Sequence, residues 1–554
     1  MTSRHLKFSW PATMPSPSYL RVFDSILFLI VSTSKKMEFS VSSMVVSIVC
    51  VGLIALGWKV VNWIWLKPKK FERHLRQQGL SGNSYRLLIG DLNDNSKMTK
   101  AALSKPMELS HDIVPYVLPL LHDIFNKYGR KSFVWLGPMP SVILFDAELM
   151  REAFTKYRVY EKPHSNPLIS LLATGLVGHE GDKWVKHRRI INPAFHVEKM
   201  KDMLPAFHAA SENMLSKWEM LFSSKGTCEV DVWPYLCAFA GDVISRAAFG
   251  CNFEEGQRFF QLQKEQAAFI RIVLDSVYIP FFRFLPTKMN RRMKQIAKEM
   301  DTLLRGIINK REKAMRAGEA TEDDLLGILL KSNFNEIQEH ANDKDVGMSI
   351  EEVIEECKLF YLAGEETTRD LINWTLVLLE KYQDWQMRAR EEVVTIFKNN
   401  KPDYAGLKCL KIVNMILYEV LRLYPSVSFT IREITKETKL GDISLPPGTQ
   451  LAVPILFVHH DKEIWGDDVH EFKPERFSEG ISKATKNQVA AFFPFSTGPR
   501  TCIGQNFAMI EVKTIITMIL QRFTFELSPA YRHSPSNILT LEPQYGTPII
   551  FQKI

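Results

Sequence analysis

Apolar residues follow three patterns along this chain. From Val41 to Trp58, in "VSSMVVSIVCVGLIALGW", eighteen residues pass without a charge. At about 1.5 Å per residue such a helix reaches roughly 27 Å, close to the apolar thickness of a bilayer. After Lys59, "VVNWIWL" carries the run to Leu66, with tryptophans suited to the membrane–water boundary. From about residue 147 to 425 apolar residues recur at three- and four-residue spacing, which predicts helices. The third pattern is short and punctuated by turns. "FVWLGPMPSVILFD" (133–146) predicts two strands about a Gly-Pro turn, and "KLGDISLPPGTQLAVPILFV" (439–458) a few more about a Pro-Gly turn. "GLVGHEG" (175–181) reads as a plain loop, because no strand precedes its glycines as a phosphate-binding turn requires. The polar stretches 316–324 and 339–348 read as loops or frayed helix ends.

Charge orients the apolar run. Lys67, Lys69, Lys70, Arg73 and Arg76 follow it against one acid, Glu72, so the positive-inside rule places the large C-terminal part in the cytosol. The run is too long for a secretory signal peptide, and no small-residue cleavage site precedes a mature start. Met37 opens "MEFSVSSMVV" in the manner of a natural start, which makes residues 1–36 a non-essential extension. The chain then divides into an anchor at 37–66, a basic linker at 67–80 and one large domain at 81–554, mainly α with a minor β-sheet. A net charge of +8 over 554 residues suits a basic face for a membrane or an acidic partner, not a dedicated nucleic-acid binder. Seven scattered cysteines without a C-x-x-C pair read as reduced thiols.

Four stretches carry candidate chemistry. In "SIEEVIEECKLFYLAGEETTRDLINWTLVLLE", Ser349 and Glu352 form a capping-box pattern that starts a long helix. Its middle holds Ala363, Gly364, Glu366 and Thr367. A mid-helix glycine costs roughly 1 kcal/mol against alanine and wants a reason, such as the close approach of a flat ligand. Thr367 can give its hydroxyl to the carbonyl of Ala363 and open the helix locally, and an acid with a hydroxyl beside such a groove can deliver protons. Taken alone, the segment is more commonly a polar face on a solvated helix. In "NMILYEVLRLYPSV" (414–427), Glu419 and Arg422 share a helix face, and Arg476 of "EFKPERF" can complete a buried cluster with them. In "GDKWVKHRRIINPAF" (181–195), Trp184 and Arg188 set an indole N–H beside a guanidinium, a pair suited to a carboxylate. In "AAFFPFSTGPRTCIGQNFAM" (490–509), Phe495-x-x-Gly498-x-Arg500-x-Cys502-x-Gly504 puts a sulfur in a glycine-shaped turn before a helix. Backbone N–H groups aimed at that sulfur favour thiolate over thiol and tune a bound metal. No C-x-x-C-H occurs, so any haem is held non-covalently.

These four motifs, in this order, resemble those of the membrane-bound cytochromes P-450, haem-thiolate monooxygenases. The wider wording, from "YRLLIGDL" and "VDVWPYLCAFAGDVISRAAFG" to "LEPQYGTPIIFQKI", resembles plant family seventy-two, subfamily A, whose members include secologanin synthase-like enzymes and terpenoid oxidases. The resemblance implies the fold of that family and a haem b with Cys502 as axial ligand of the iron. It implies that Trp184, Arg188, Arg432 and Arg500 hold the haem propionates, and that Glu366 and Thr367 supply protons. Glu419, Arg422 and Arg476 become structural residues, and Phe360, Ala363, Gly364, Val427, Ser428 and Phe429 pocket walls. It further implies NADPH–cytochrome P-450 reductase as electron donor, cytochrome b-five as a candidate second partner, and a single-pass place in the endoplasmic reticulum membrane. The expected reaction is oxidation of a lipophilic small molecule, a terpenoid or a terpenoid-derived compound. The alternatives are a haem-thiolate isomerase or dehydratase that does not use O2, and a non-catalytic haem sensor or carrier.

Overall fold

Helices carry most of this chain. The computed structural model describes residues 41–163, 166–222, 226–250, 253–279, 281–318, 324–339, 346–486 and 488–554; the extension at 1–36 lies outside them. The described residues fall into two units that divide between Trp63 and Ile64.

The first unit contains the helix Val41–Val61, whose apolar side chains from Met44 onward are exposed. Among the described residues one helical stretch, Met44–Gln77, is long and apolar enough to cross a membrane. In the second unit, the start of the expected basic linker is instead the helix Lys67–Gln77. Phe71 and Leu75, four residues apart, are buried in it, and the buried Glu72 pairs with Lys69 at 2.9 Å and Arg76 at 3.1 Å. Amphipathic spacing accounts for a helix where the charge run suggested a tether.

The strands gather into one main sheet and smaller ribbons. The main sheet runs in the order Phe133–Leu136, Met139–Ile143, Gln450–Val453, Thr430–Ile434, Tyr160–Glu161. The second and third strands pair in parallel and the other neighbours antiparallel. The turn between the first two is made at Gly137, whose φ of 65° only glycine adopts readily. Tyr160 pairs with Ile434 and Glu161 with Glu433, so the next step of the register sets Lys162 beside Arg432. A second sheet packs Thr227–Asp231 and Phe523–Leu527 on either side of the C-terminal strand Pro548–Lys553.

The core forms around one helix, Ile350–Lys381, 32 residues long and buried along most of its length. It begins as the sequence predicts: Glu352 N–H donates to Ser349 Oγ at 3.3 Å and Ser349 N–H to the Glu352 carboxylate at 3.0 Å. Asn373, in the chain's N-x-T pattern, is buried in this helix and accepts from Thr547 Oγ1 at 2.7 Å. A second helix, Val232–Phe249, packs along it. The short stretch Gly175–Gly178, expected as loop, is one helical turn; Leu176 N–H donates at 2.9 Å to Glu356 of the central helix, which supplies the order that two glycines do not.

Candidate active site

The glycine in the middle of the central helix has a partner on another helix. A Cβ built on Gly364 lands 2.7 Å from Ile244 Cδ1 of the helix Val232–Phe249. The missing side chain lets two buried helices approach, which is a packing reason for a glycine at this position. Gly364→Ala gains about 1 kcal/mol of helix propensity but overpacks a contact, at a cost of about 1–3 kcal/mol. The expected result is a lower thermal midpoint, worth about 1 kcal/mol, which Ile244→Val in the same chain largely restores. A Gly364→Ala protein of wild-type stability, indifferent to Ile244→Val, would refute this packing account.

One residue earlier, Ala363 is exposed within this otherwise buried helix. Thr367 Oγ1 donates to the Ala363 carbonyl at 2.7 Å, as expected, but the helix stays regular there and does not open. Burial raises the Glu366 carboxyl to about 7, against the pull of Arg369, whose guanidinium lies 3.9 Å away. Near neutral pH this acid is therefore present in both its protonated and ionised forms. Thr368 faces the other way, its hydroxyl oxygen 2.7 Å from Gly364 O and 3.2 Å from a carboxylate oxygen of Glu511. Glu511 belongs to the helix Gln505–Arg522 that follows Cys502, so this bond ties the acid–hydroxyl helix to that helix.

The loop itself is shaped by Gly498, whose φ of 72° opens a short turn to Arg500. Cys502 N–H donates to Phe495 O at 2.9 Å. The sulfur's residue is exposed, yet the surrounding protein raises its thiol pKa; the Gly504 N–H and the charges of Arg188 and Lys162 act in the opposite sense. Cys502 is thus a reachable thiol enclosed in a cleft, unlike the buried Cys357 and Cys228. Phe195 joins the two sides of the site: its ring lies 5.9 Å from that of Phe360 on the central helix, and its edge sits 3.9 Å from the Cβ position of Gly504.

Cations surround this cleft. Trp184 and Arg188 come from the helix Gly181–Ile191; Arg188 Nη1 donates to Thr501 O at 2.9 Å, and the Trp184 ring lies 4.6 Å beneath the Arg500 guanidinium. Arg500 pairs with Glu180 and donates to His179 O at 2.9 Å, but its buried Nη1 has no hydrogen-bond partner. Arg432, on the main sheet, packs over Phe154 at 4.9 Å. Burial and the neighbouring Arg500 lower it to about 10. Lys162 joins them, and sequence reasoning missed it. Burial, with Arg432 and Arg500 close by, lowers its ammonium to about 7. Four cations face two carboxylates, Glu180 and Glu161. A group with two carboxylates and a thiolate-seeking metal fits this set: the orphaned Arg500 Nη1 and the depressed Lys162 both call for anions, and the reachable sulfur lies among them.

The remaining predicted residues divide between support and wall. Glu419 and Arg422, both fully buried, make a two-point ion pair at 2.8 Å and 2.8 Å; Arg476 reaches Glu419 at 3.3 Å and Asp468 at 2.7 Å. Ser426 Oγ donates to Thr367 O at 3.0 Å, which holds Val427, Ser428 and Phe429 against the central helix. Ser428 is buried, whereas Val427 and Phe429 are half-buried. Phe360 spends its ring on Phe195. A cavity lined by Leu118, Leu121, Leu274, Phe429, Ala452 and Ile538 opens beside Phe429, and Phe360, Ala363 and Gly364 are not among its walls.

Comparison with known proteins gives the family. Residues 118–548 match the family described as Cytochrome P450. The chain is 55% identical over 503 residues to cytochrome P450 CYP72A219 of Panax ginseng, covering 91% of this chain and 97% of that protein. It is 54% identical to cytochrome P450 72A397 of Kalopanax septemlobus (90% and 95% covered) and 51% identical to cytochrome P450 72A15 of Arabidopsis thaliana (94% and 100%). The retinoic acid-bound structure of cyanobacterial CYP120A1 shares the fold, with a TM-score of 0.66 at 24% identity over 78% of this chain and 94% of that one. With the cysteine loop, the cation-lined cleft and these matches together, the chain belongs to the cytochrome P450 family, within the plant family-72 subfamily A, and is a haem-thiolate monooxygenase.

Proposed function

We propose that this protein oxidises a C–H bond of a terpenoid or terpenoid-derived small molecule, drawing electrons from NADPH through a membrane flavoprotein reductase at the endoplasmic reticulum. The observation that carries the reading is a reachable Cys502 among four cations, with Phe195 packed between its loop and the central helix that bears Glu366 and Thr367. When bound, haem supplies O2 activation: one oxygen atom enters the C–H bond and the other leaves as water, with two electrons and two protons consumed. Cys502 would be the thiolate ligand. Arg188, Arg432, Arg500 and Lys162 would hold the two carboxylates of the cofactor, with Trp184 stacked against Arg500. Thr367 and Glu366 would hold and pass protons at the cleft, and Ala363, Val427 and Phe429 would orient an apolar substrate and keep water out. The one membrane-length apolar helix among the described residues supports a membrane anchor, and a lipophilic substrate suits an enzyme kept at a bilayer.

The test uses the full chain in membranes with a reductase, NADPH and panels of terpenoids and fatty acids, measuring product and peroxide per NADPH. Terpenoid-dependent product is expected. Oxidation of simple fatty acids with terpenoids inert would overturn the substrate class, and turnover without NADPH would favour an isomerase or dehydratase. In the same assay Thr367→Val should keep the thiolate spectrum, while product per NADPH falls and peroxide rises. General acid–base groups contribute about 10²–10⁴-fold, and a water can partly replace the hydroxyl, so the fall is expected at or below the low end of that range. Equal coupling in the two proteins would reduce Thr367 to a helix residue.

A further inference from the structure

Away from the cysteine cleft, three side chains converge that the oxidation reaction does not use. His460 follows the short helix Ile455–His459, His470 lies in the loop before Pro474, and Asp112 comes from the segment ahead of the helical turn Val114–Val117. One donor atom from each lies within 4.8 Å of the others. The two imidazole rings stand 5.5 Å apart at 68°. His460 is 6% exposed, and its Nε2 lies 3.0 Å from the Leu423 carbonyl, which can only accept. That bond fixes the proton on Nε2 and leaves a lone pair on Nδ1. The Nδ1 atoms of His460 and His470 are both buried without a hydrogen-bond partner among the described residues. A buried nitrogen lone pair with nothing to accept from is costly. A histidine whose second ring nitrogen is anchored on a backbone carbonyl is also how proteins present imidazole to a metal.

We propose that Asp112, His460 and His470 form a binding site for a divalent transition metal such as zinc, with the fourth tetrahedral position left to water. Two neutral imidazoles and one carboxylate suit that ion class. The Leu423 carbonyl fixes the His460 proton on Nε2, so its Nδ1 lone pair is free to ligate. Asp112 is exposed and supplies both the negative charge and the route of entry. Two cations lie near. Arg422 is neutralised by its two-point pair with Glu419, and Lys462 is exposed and free to turn into solvent. The site would act as a clip. Arg422 already holds the carbonyls of His459 at 3.0 Å, Val469 at 2.7 Å and Glu471 at 3.2 Å, the chain neighbours of both histidine ligands. A metal on the histidines would fasten the same loop a second time and join it to the Asp112 segment.

The experiment is equilibrium dialysis of zinc ion against tag-free, haem-loaded protein, followed by metal and haem analysis, with thermal loss of the haem-thiolate spectrum as a second readout. Wild type should retain one zinc per haem more than His470→Ala, and zinc should raise the thermal midpoint of wild type alone. Asp112→Asn should weaken zinc binding at least about tenfold, the low end of what altered metal-site residues cause. His196→Ala, which removes an exposed histidine elsewhere, should change nothing. Equal zinc retention by wild type and His470→Ala would overturn the proposal. If His470→Ala does not accumulate as haem-loaded protein, Asp112→Asn decides: wild-type zinc affinity there overturns the proposal, because an exposed aspartate can be exchanged without unfolding the loop.

Discussion

Cys502→Ser is expected to abolish the long-wavelength Soret band of the reduced, carbon monoxide-bound protein and to reduce product formation to background. Every contact that shapes the loop leaves the sulfur itself uncommitted. The backbone N–H of Cys502 is held by Phe495 O, Gly498 makes the turn, and Arg500 is engaged with Glu180 and His179. The Gly504 N–H and the charges of Arg188 and Lys162 favour a thiolate, although the enclosing protein raises the thiol pKa. Serine keeps the size but not the acidity, and an alkoxide is far out of reach in the same field. The cation cradle is untouched by this exchange, so total haem, measured after extraction, should fall much less than the thiolate band. An unchanged band would remove Cys502 as the ligand. Loss of all haem together with the fold would instead make the cysteine a packing residue.

The second large effect is expected from Arg422. A guanidinium has five N–H donors, and here all five are used: two on Glu419, three on the carbonyls of His459, Val469 and Glu471. Glu419 in turn accepts from Lys473 N–H at 3.0 Å and from Arg476. Removing one member of a buried, hydrogen-bonded ion pair costs about 3–5 kcal/mol, because the partner charge is left uncompensated. Domains are commonly stable by about 5–15 kcal/mol, so Arg422→Ala should sharply reduce the yield of haem-loaded protein. Arg422→Lys should rescue little, since an ammonium offers three donors and no planar fork. Arg476→Lys should be milder, because Arg476 is the outer member and its Asp468 partner is partly exposed. Wild-type yield and thermal midpoint in Arg422→Lys would show that the network is dispensable.

What could be read from the sequence was chemistry between near neighbours. The capping box at Ser349 and Glu352 and the bond from Thr367 to Ala363 follow from three- and four-residue spacing on a helix, and both are present. The Glu419–Arg422 pair is local too; the recruitment of Arg476 was legible because an arginine in an apolar, proline-bounded turn needs a buried acid. What the sequence left unread depends on distant partners. Gly364 raised the right question, but its answer, Ile244, lies on another helix. Lys162 reaches the cradle through a two-residue strand, Tyr160–Glu161, that pairs with Thr430–Ile434 far along the chain. Nothing in "YEKP" marks that lysine as different from any surface base. Gly175–Gly178 is helical because Glu356 holds it, not because its own residues favour a helix.

The charge imbalance around Cys502 also bears on how much of this protein a cell can keep. Lys162, Arg188, Arg432 and Arg500 are gathered at a cost that the unfolded chain does not bear, and Lys162 loses most of its preference for the charged form there. An anionic ligand that binds only the folded chain shifts folding by mass action, by about 1.4 kcal/mol for each tenfold excess over its dissociation constant. With the cofactor held there as proposed, its supply becomes a determinant of abundance. When haem biosynthesis slows, the chain should be lost to proteolysis before its transcript falls.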